Sequence, residues 1–201
     1  MPAAILIPVN PFEEGKSRLA AALSVGQRAA LNRRFFKHVL EIAIGSVPNG
    51  HCLVISRSAA VLGLASRAGA QGILERQKGL NEALAQGAAV ARTQGARGLL
   101  VLSSDLPLLS AKDVARMLDA GANAPVVIAP DAGETGTNAL WLAPPSLMPF
   151  AYGEGSFAAH REAAEARGHA AVIIRSKGLA CDVDTADDLS QLLTHCPRAF
   201  R

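Results

Sequence analysis

Aromatic residues are scarce in this chain of 201 residues: 4% in all, with a single tryptophan and a single tyrosine. That scarcity excludes an extended base-stacking platform for single-stranded nucleic acid, which needs successive exposed rings. Cysteine is equally sparse. Cys52, Cys181 and Cys196 are odd in number and far apart, so they form neither a disulfide framework nor a zinc-ligand pattern. Spectator thiols in a reducing compartment are the expectation. No apolar run is long enough to cross a bilayer, and the first apolar stretch has no basic segment before it and is interrupted by Pro8 and Pro11. A cytoplasmic protein with no membrane partner is therefore expected. Neither sign of charge dominates, since 20 Lys+Arg against 17 Asp+Glu leave +3. The basic residues are scattered, so charge gives no reason to expect a nucleic-acid partner. Half of the residues are apolar and 18% charged, which excludes a mostly disordered chain. The expectation is one domain, residues 1–201, with a sizeable core.

Short apolar runs alternate with amphipathic segments. Ala3–Val9, Cys52–Ser56, Gly72–Leu74, Leu99–Leu102, Ala124–Ala129, Asn138–Leu142 and Ala170–Arg175 read as strands. Between Gln27 and Ala43, the residues Leu31, Phe35, Val39 and Ile42 recur at helical spacing and define one face. A short helix over Ala59–Arg67 turns Val61, Leu64 and Ala65 inward. Leu80, Leu84, Ala88 and Ala91 form the stripe of a helix over Leu80–Arg92. Further helices are expected over Ala111–Ala120, Ser156–Arg167 and Ala186–Leu193. Ser110 with Asp113, and Thr185 with Asp188, have the spacing of capping boxes. Strands separated by helices of this length imply crossovers and a mostly parallel sheet, hence a three-layer, Rossmann-like α/β/α domain. The strand order does not follow from these patterns.

In an open parallel sheet, ligands bind outside the carboxyl ends of the strands. The loop after the first strand, Pro8 to Leu19, carries Lys16 and Arg18 beside Gly15. The two cations and nearby backbone N–H groups could clamp phosphate, or the segment is a solvated turn. It matches neither the GxxxxGK[ST] phosphate loop nor GxGxxG. Asp105 follows the most apolar strand, where core packing gives no reason for a carboxylate. It is placed either to hold Mg²⁺ against phosphate oxygens or to cap the turn before Pro107. Asp184 can supply a second carboxylate if its loop folds back beside Asp105, and Asp182 competes for that role. Glu134–Asn138 offers hydroxyls, an amide and glycines to a small anion. Gly153–Phe157 leads into a helix with Ser156 as an N-cap or phosphate contact. The five histidines, His38, His51, His160, His169 and His195, show no ligand-like spacing and are expected on surfaces or helix sides, with no histidine-based nucleophile.

Taken in order, IPVNPFEEGKSRL, QKGLNEAL, VLSSDLPLL, APDAGETGTNAL, YGEGSFAAH and GLACDVDTADDL resemble the guanylyltransferase family of deazaflavin coenzyme biosynthesis. The resemblance covers essentially the whole chain. It implies a nucleotidyltransferase fold and transfer of GMP from GTP, with release of pyrophosphate, to a three-carbon phosphorylated acid: phosphoenolpyruvate, slightly favoured, 3-phospho-D-glycerate or 2-phospho-L-lactate. It also implies roles for particular residues. Lys16 and Arg18 match the cations of a KSRL segment that binds the triphosphate. Asp105 and Asp184 match the two carboxylates that hold the catalytic Mg²⁺. Gly79 and Asn81 fall where the family reads the nucleoside. Thr137, Gly153 and Ser156 match the pocket that grips the acceptor. The chain departs from the family at Asn10, where lysine is common, and at Gln77 and Lys78, where glycines are common. Hand-over of product to the next transferase and a homodimer are both compatible with the family. Two other readings compete. One is a nucleotidyltransferase of the same fold with a molybdopterin or sugar-phosphate substrate, although the long Gly-rich opening loop of those enzymes is missing. The other is a nucleotide-binding protein without catalysis.

Overall fold

A computed structural model gives the fold and describes residues 2–48 and 51–195. Cys196 lies outside the described residues; Cys52 is a buried free thiol, and burial pushes it up to about 12. The elements in chain order are β1 (Ala3–Pro8), a 3-10 turn (Ser17–Leu19), α1 (Val25–Ser46), β2 (Cys52–Ser56), α2 (Ala59–Ala68), β3 (Gln71–Leu74) and α3 (Leu80–Thr93). They continue with β4 (Gly98–Leu102), α4 (Ala111–Gly121), β5 (Val126–Pro130), β6 (Thr137–Leu142), α5 (Ser156–Glu165), β7 (Val172–Ile173), α6 (Lys177–Ala180) and α7 (Ala186–His195). No helix among the described residues is long and apolar enough to cross a membrane.

The strands form one sheet in the order β3-β2-β1-β4-β6-β5-β7. All neighbours are parallel except β6, which runs against both β4 and β5. The sheet is thus mostly parallel, and its core strands are buried on both faces. Successive residues alternate between two apolar layers, as the strand period of two requires. Ile5, Ile7, Val54, Leu100 and Leu102 face α1, α2 and α4, where Phe36, Val39, Leu40, Val61 and Met117 meet them. Leu6, Leu53, Ile55, Leu99 and Val101 face α3 and α5, against Leu84, Ala88, Phe157 and Ala164. Val183 and Leu192 of α7 and its approach close on Phe35 of α1 in a third, smaller cluster.

Helix boundaries follow local chemistry. Ser24 caps α1 in a reciprocal box with Gln27, and Ser110 does the same for α4 with Asp113. Thr185 and Asp188 exchange the corresponding bonds at the start of α7. α2 ends at Gly69, whose φ of 98° is the left-handed cap that glycine adopts without penalty. On the stripe expected for α3, Leu84, Ala88 and Ala91 are buried but Leu80 is 46% exposed, because it sits at the helix start over an open cleft.

Candidate active site

The chain leaves β1 toward β2 and β3 on one side, and later returns to place β4 on the other. The β1/β4 boundary is therefore the topological switch point, where the two connections diverge and leave a crevice. The loop after β1 and the loop after β4 both open there. A cavity of about 250 Å³ in that crevice is lined by Pro8, Asn10, Gly15, Lys16, Leu80, Ser103, Ser104, Asp105 and Asp184, among others.

The β1 loop is pinned to α1. Asn32 donates from Nδ2 to the Phe12 carbonyl at 2.7 Å, and Arg28 donates to the Gly15 carbonyl at 3.2 Å. A Cβ at Gly15 would stand 2.6 Å from that Asn32 nitrogen, so a side chain there would push the amide off the Phe12 carbonyl. Lys16 follows with φ 58°, a left-handed conformation that costs a non-glycine residue about 1 kcal/mol or more. The turn sends its side chain inward, where it is only 4% exposed. Nζ lies 2.7 Å from Asp105 Oδ2 and 3.6 Å from Asp184 Oδ1, and donates to the Val183 carbonyl. Ser103 Oγ donates to the other Asp105 oxygen at 2.7 Å. Three segments that are remote in sequence thus converge on one buried ammonium.

Arg18 is not brought into this cluster: it stands exposed on the 3-10 turn. Asp182 is half-buried and turns to Asn138, whose Nδ2 reaches its Oδ1 at 3.4 Å. Burial, and then the Asp105 charge, push Asp182 up to about 6. Asp184 is the one that meets Lys16. Asn10 accepts a long bond from Arg57, which also pairs with Glu14 and Glu75.

Two carboxylates and a backbone carbonyl around one cation form a hard-oxygen donor set. Among the described residues no cluster of three or more His, Cys, Asp or Glu side chains could hold a metal. Asp105 and Asp184 therefore suit a cation that takes one or two carboxylates and completes its shell with water and substrate phosphate, which is the habit of Mg²⁺. Their present partner is Lys16, so a cation held there would compete with the ammonium for the same oxygens.

On the α3 side, Gly79 precedes the helix with φ 137°, open to glycine but strained for other residues. Asn81 does not project freely into the cleft. Its Nδ2 donates to the Tyr152 carbonyl at 3.0 Å and its Oδ1 accepts from the Tyr152 N–H at 2.8 Å. It thereby ties the first turn of α3 to the loop that contains Gly153.

The remaining candidates gather where β6 meets α5. Asp131 organises the β5–β6 turn by accepting from the Thr135 amide and hydroxyl and from the Gly136 amide. The Thr135 carbonyl accepts from the Phe157 N–H at 3.1 Å, which joins that turn to the start of α5. Gly155, with φ 70°, is the N-cap of α5, so Ser156 is the first helical residue rather than the cap. Ser156 is buried, as is Thr137. Gly153 adopts φ 140° with open space where a side chain would be.

His160 overturns the expectation of a surface or helix-side position. It is completely buried, with Nδ1 3.0 Å from Thr137 Oγ1 and Nε2 accepting from the Ala151 N–H at 3.0 Å. Burial drives it down to about 4, so the ring is neutral. Its signal in the sequence was its place four residues after Ser156, on the same helical face. Asn138, whose amide the sequence offered to a small anion, is instead spent within the fold. It donates to the Leu179 carbonyl at 3.0 Å as well as to Asp182, linking β6 to the segment that bears Asp184. A larger cavity of about 730 Å³ between α1 and α2 holds none of the residues named for phosphate, metal or acceptor.

Residues 3–199 match the family described as "Guanylyl transferase CofC like". The phosphoenolpyruvate guanylyltransferase of Rubrobacter xylanophilus is 39% identical over 188 residues, covering 93% of this chain and 91% of that protein. The 3-phospho-D-glycerate guanylyltransferase of Colwellia psychrerythraea is 33% identical, covering 94% and 90%. The 2-phospho-L-lactate guanylyltransferase of Methanothermobacter thermautotrophicus is 36% identical, covering 94% and 83%. Solved structures share the fold at low identity. One from Desulfovibrio desulfuricans G20, provisionally assigned as a nucleotide-diphospho-sugar transferase, has a TM-score of 0.78 at 18% identity, covering 100% of this chain and 90% of that one. A manganese complex of a Mycobacterium tuberculosis H37Rv protein has a TM-score of 0.58 at 15% identity, covering 96% and 98%. With the family match spanning nearly the whole described chain, this protein belongs to the CofC guanylyltransferase family and is an enzyme that transfers a nucleotide.

Proposed function

We propose that the enzyme transfers GMP from GTP to the phosphate of phosphoenolpyruvate or a related three-carbon phosphorylated acid, releasing pyrophosphate, as a step of deazaflavin coenzyme biosynthesis. The observation that carries this reading is the meeting of Lys16, Asp105 and Asp184 at the switch-point cleft. The preference for phosphoenolpyruvate rests on relatives of that name, including those at 39% and 36% identity.

In the proposed reaction, an oxygen of the acceptor's phosphate attacks the α-phosphorus of GTP, and the bond from that phosphorus to the β-phosphate bridge oxygen breaks. The attacking phosphate is already anionic, so no protein nucleophile is needed, in keeping with a neutral, buried His160. Mg²⁺ held by Asp105 and Asp184 would supply charge neutralisation for the phosphates. Lys16, buried among oxygens, adds a fixed positive charge where a pyrophosphate leaving group gains negative charge. Arg18, exposed on the neighbouring turn, is assigned to the outer end of the triphosphate. Gly79 lets the nucleoside approach the start of α3, and Asn81 holds the Tyr152 loop in place beside it. Thr137, Gly153 and Ser156 receive the acceptor, where the first-turn N–H groups of α5 favour an anion.

Pyrophosphate release with Mg²⁺ tests the assignment directly, using GTP, ATP or CTP against phosphoenolpyruvate, 3-phospho-D-glycerate and 2-phospho-L-lactate. Release with GTP and one of these acids is expected, with phosphoenolpyruvate the best. Release only with another nucleotide, or with none of the acids in folded protein, would overturn it.

A further inference from the structure

His160 has no part in the chemistry outlined above, yet both of its ring nitrogens are engaged. The amide of Ala151 can only donate, so Nε2 accepts and carries no proton. The single proton of the neutral ring is then on Nδ1, and Nδ1–H donates to Thr137 Oγ1. That bond uses a lone pair of the hydroxyl and leaves its hydrogen unspent. Among the described residues, the Thr137 hydroxyl forms no other hydrogen bond. The ring cannot swing to a different arrangement. It is fully buried, Tyr152 packs edge-on against it at 4.8 Å between centroids, and Asn81 clamps the Tyr152 main chain next to Ala151.

We propose that His160 is a positioning residue for the acceptor end of the site: by donating from Nδ1 to Thr137, it commits the threonine hydroxyl to donate its own hydrogen to an anionic oxygen of the bound acid. Ser156, one helical turn before His160 on the same face of α5, stands at the same end of the site. The pocket then offers donors to a phosphate or carboxylate oxygen. A hydroxyl free to rotate would divide its time between donating and accepting. This inference rests on Thr137 belonging to the acceptor pocket.

Two substitutions separate the roles of the two nitrogens. In His160→Asn the side-chain amide falls near the Nδ1 position and can still donate to Thr137. In His160→Gln the amide falls near the Nε2 position, so the Ala151 contact survives and the Thr137 contact is lost. His160→Gln and Thr137→Val should each raise the KM for the acceptor by about tenfold, the scale of one lost hydrogen bond to a charged group, with the KM for GTP changed less than about twofold. His160→Asn should recover most of the acceptor KM, and His160→Gln combined with Thr137→Val should be no worse than Thr137→Val alone. Equal losses for GTP and acceptor, or a His160→Gln variant as good as wild type, would overturn the proposal. The tautomer is read independently of turnover from the ¹⁵N shifts of the His160 ring in the unsubstituted protein. A proton on Nδ1 is expected, and a proton on Nε2 would overturn the proposal even if the variants fail to fold. Absence of turnover by the unsubstituted protein with every acid would instead count against the proposed reaction, leaving the tautomer measurement to judge His160.

Discussion

Lys16 has an unusual backbone and an unusual environment, and the two explain each other. Its left-handed φ of 58° is the cost of turning a long side chain back under its own loop, and the return is an ammonium with oxygens on three sides. His160 is the opposite case, a titratable group held neutral. Burial lowers it from the ordinary 6.5 to about 4. Between those values the unfolded chain binds more protons than the folded one, so stability is full above pH 6.5 and falls as the pH drops toward 4. The whole effect is on the order of 3 kcal/mol. Urea midpoints measured at pH 7.5 and pH 5 should therefore fall more for the unsubstituted protein than for His160→Asn. Equal falls would contradict a buried neutral ring. Of these two residues, only Lys16 was legible in the sequence. A lysine in a loop directly after a buried strand announces itself, whereas the partner of His160 is set by which strand α5 packs upon. The same reason limits Asn81: its position at the start of α3 was legible, but its bonds to Tyr152 depend on a loop 71 residues away.

Elements with a clear period were legible to within a few residues. The strands over Cys52–Ser56 and Leu99–Leu102 and both capping boxes were anticipated because apolar runs and cap spacing are local signals. Other elements deviate for physical reasons. α6 has four residues and the 3-10 turn three, too few to display a helical period. The expected strand over Ala170–Arg175 shrinks to Val172–Ile173 because it lies at the sheet edge with only β5 to pair. The reversed direction of β6 has its signal in loop length rather than in hydrophobic pattern: six residues join β5 to β6, too few for the crossover that a parallel pair needs. That reversal places Trp141 in a slot between elements. A Cβ on Gly98 of β4 would lie 2.1 Å from the indole, and one on Gly121 at the end of α4 would lie 2.4 Å from it. Both approaches are to a large ring that is itself buried, so the neighbour has little room to yield. Gly98→Ala should lower the unfolding free energy by about 1–3 kcal/mol, the range for an overpacked core. Urea denaturation checks this, and an unchanged midpoint would contradict the slot.

At the scale of the whole molecule, the sheet order does what no segment does alone. The chain places β1 between β2 and β4, and this opens the crevice where residues 16, 105 and 184 come together. The sequence made each of these residues a candidate through its place after a strand or before a helix, but left Asp182 and Asp184 as rivals. The path of the chain after α6 separates them: Asp182 turns to Asn138, while Asp184 reaches the Lys16 ammonium. The central claim is that this cleft is where the nucleotide is transferred. Its most direct test is Asp105→Asn, which keeps the size of the side chain and removes its charge, assayed for Mg²⁺-dependent pyrophosphate release from GTP with phosphoenolpyruvate and for Mn²⁺ binding by electron paramagnetic resonance. Turnover should fall about 10³-fold, equivalent to roughly 4 kcal/mol of lost transition-state stabilisation, with weaker Mn²⁺ binding and an unchanged circular dichroism spectrum. Near-normal turnover and Mn²⁺ binding in folded Asp105→Asn protein would contradict the claim and move the reaction out of this cleft.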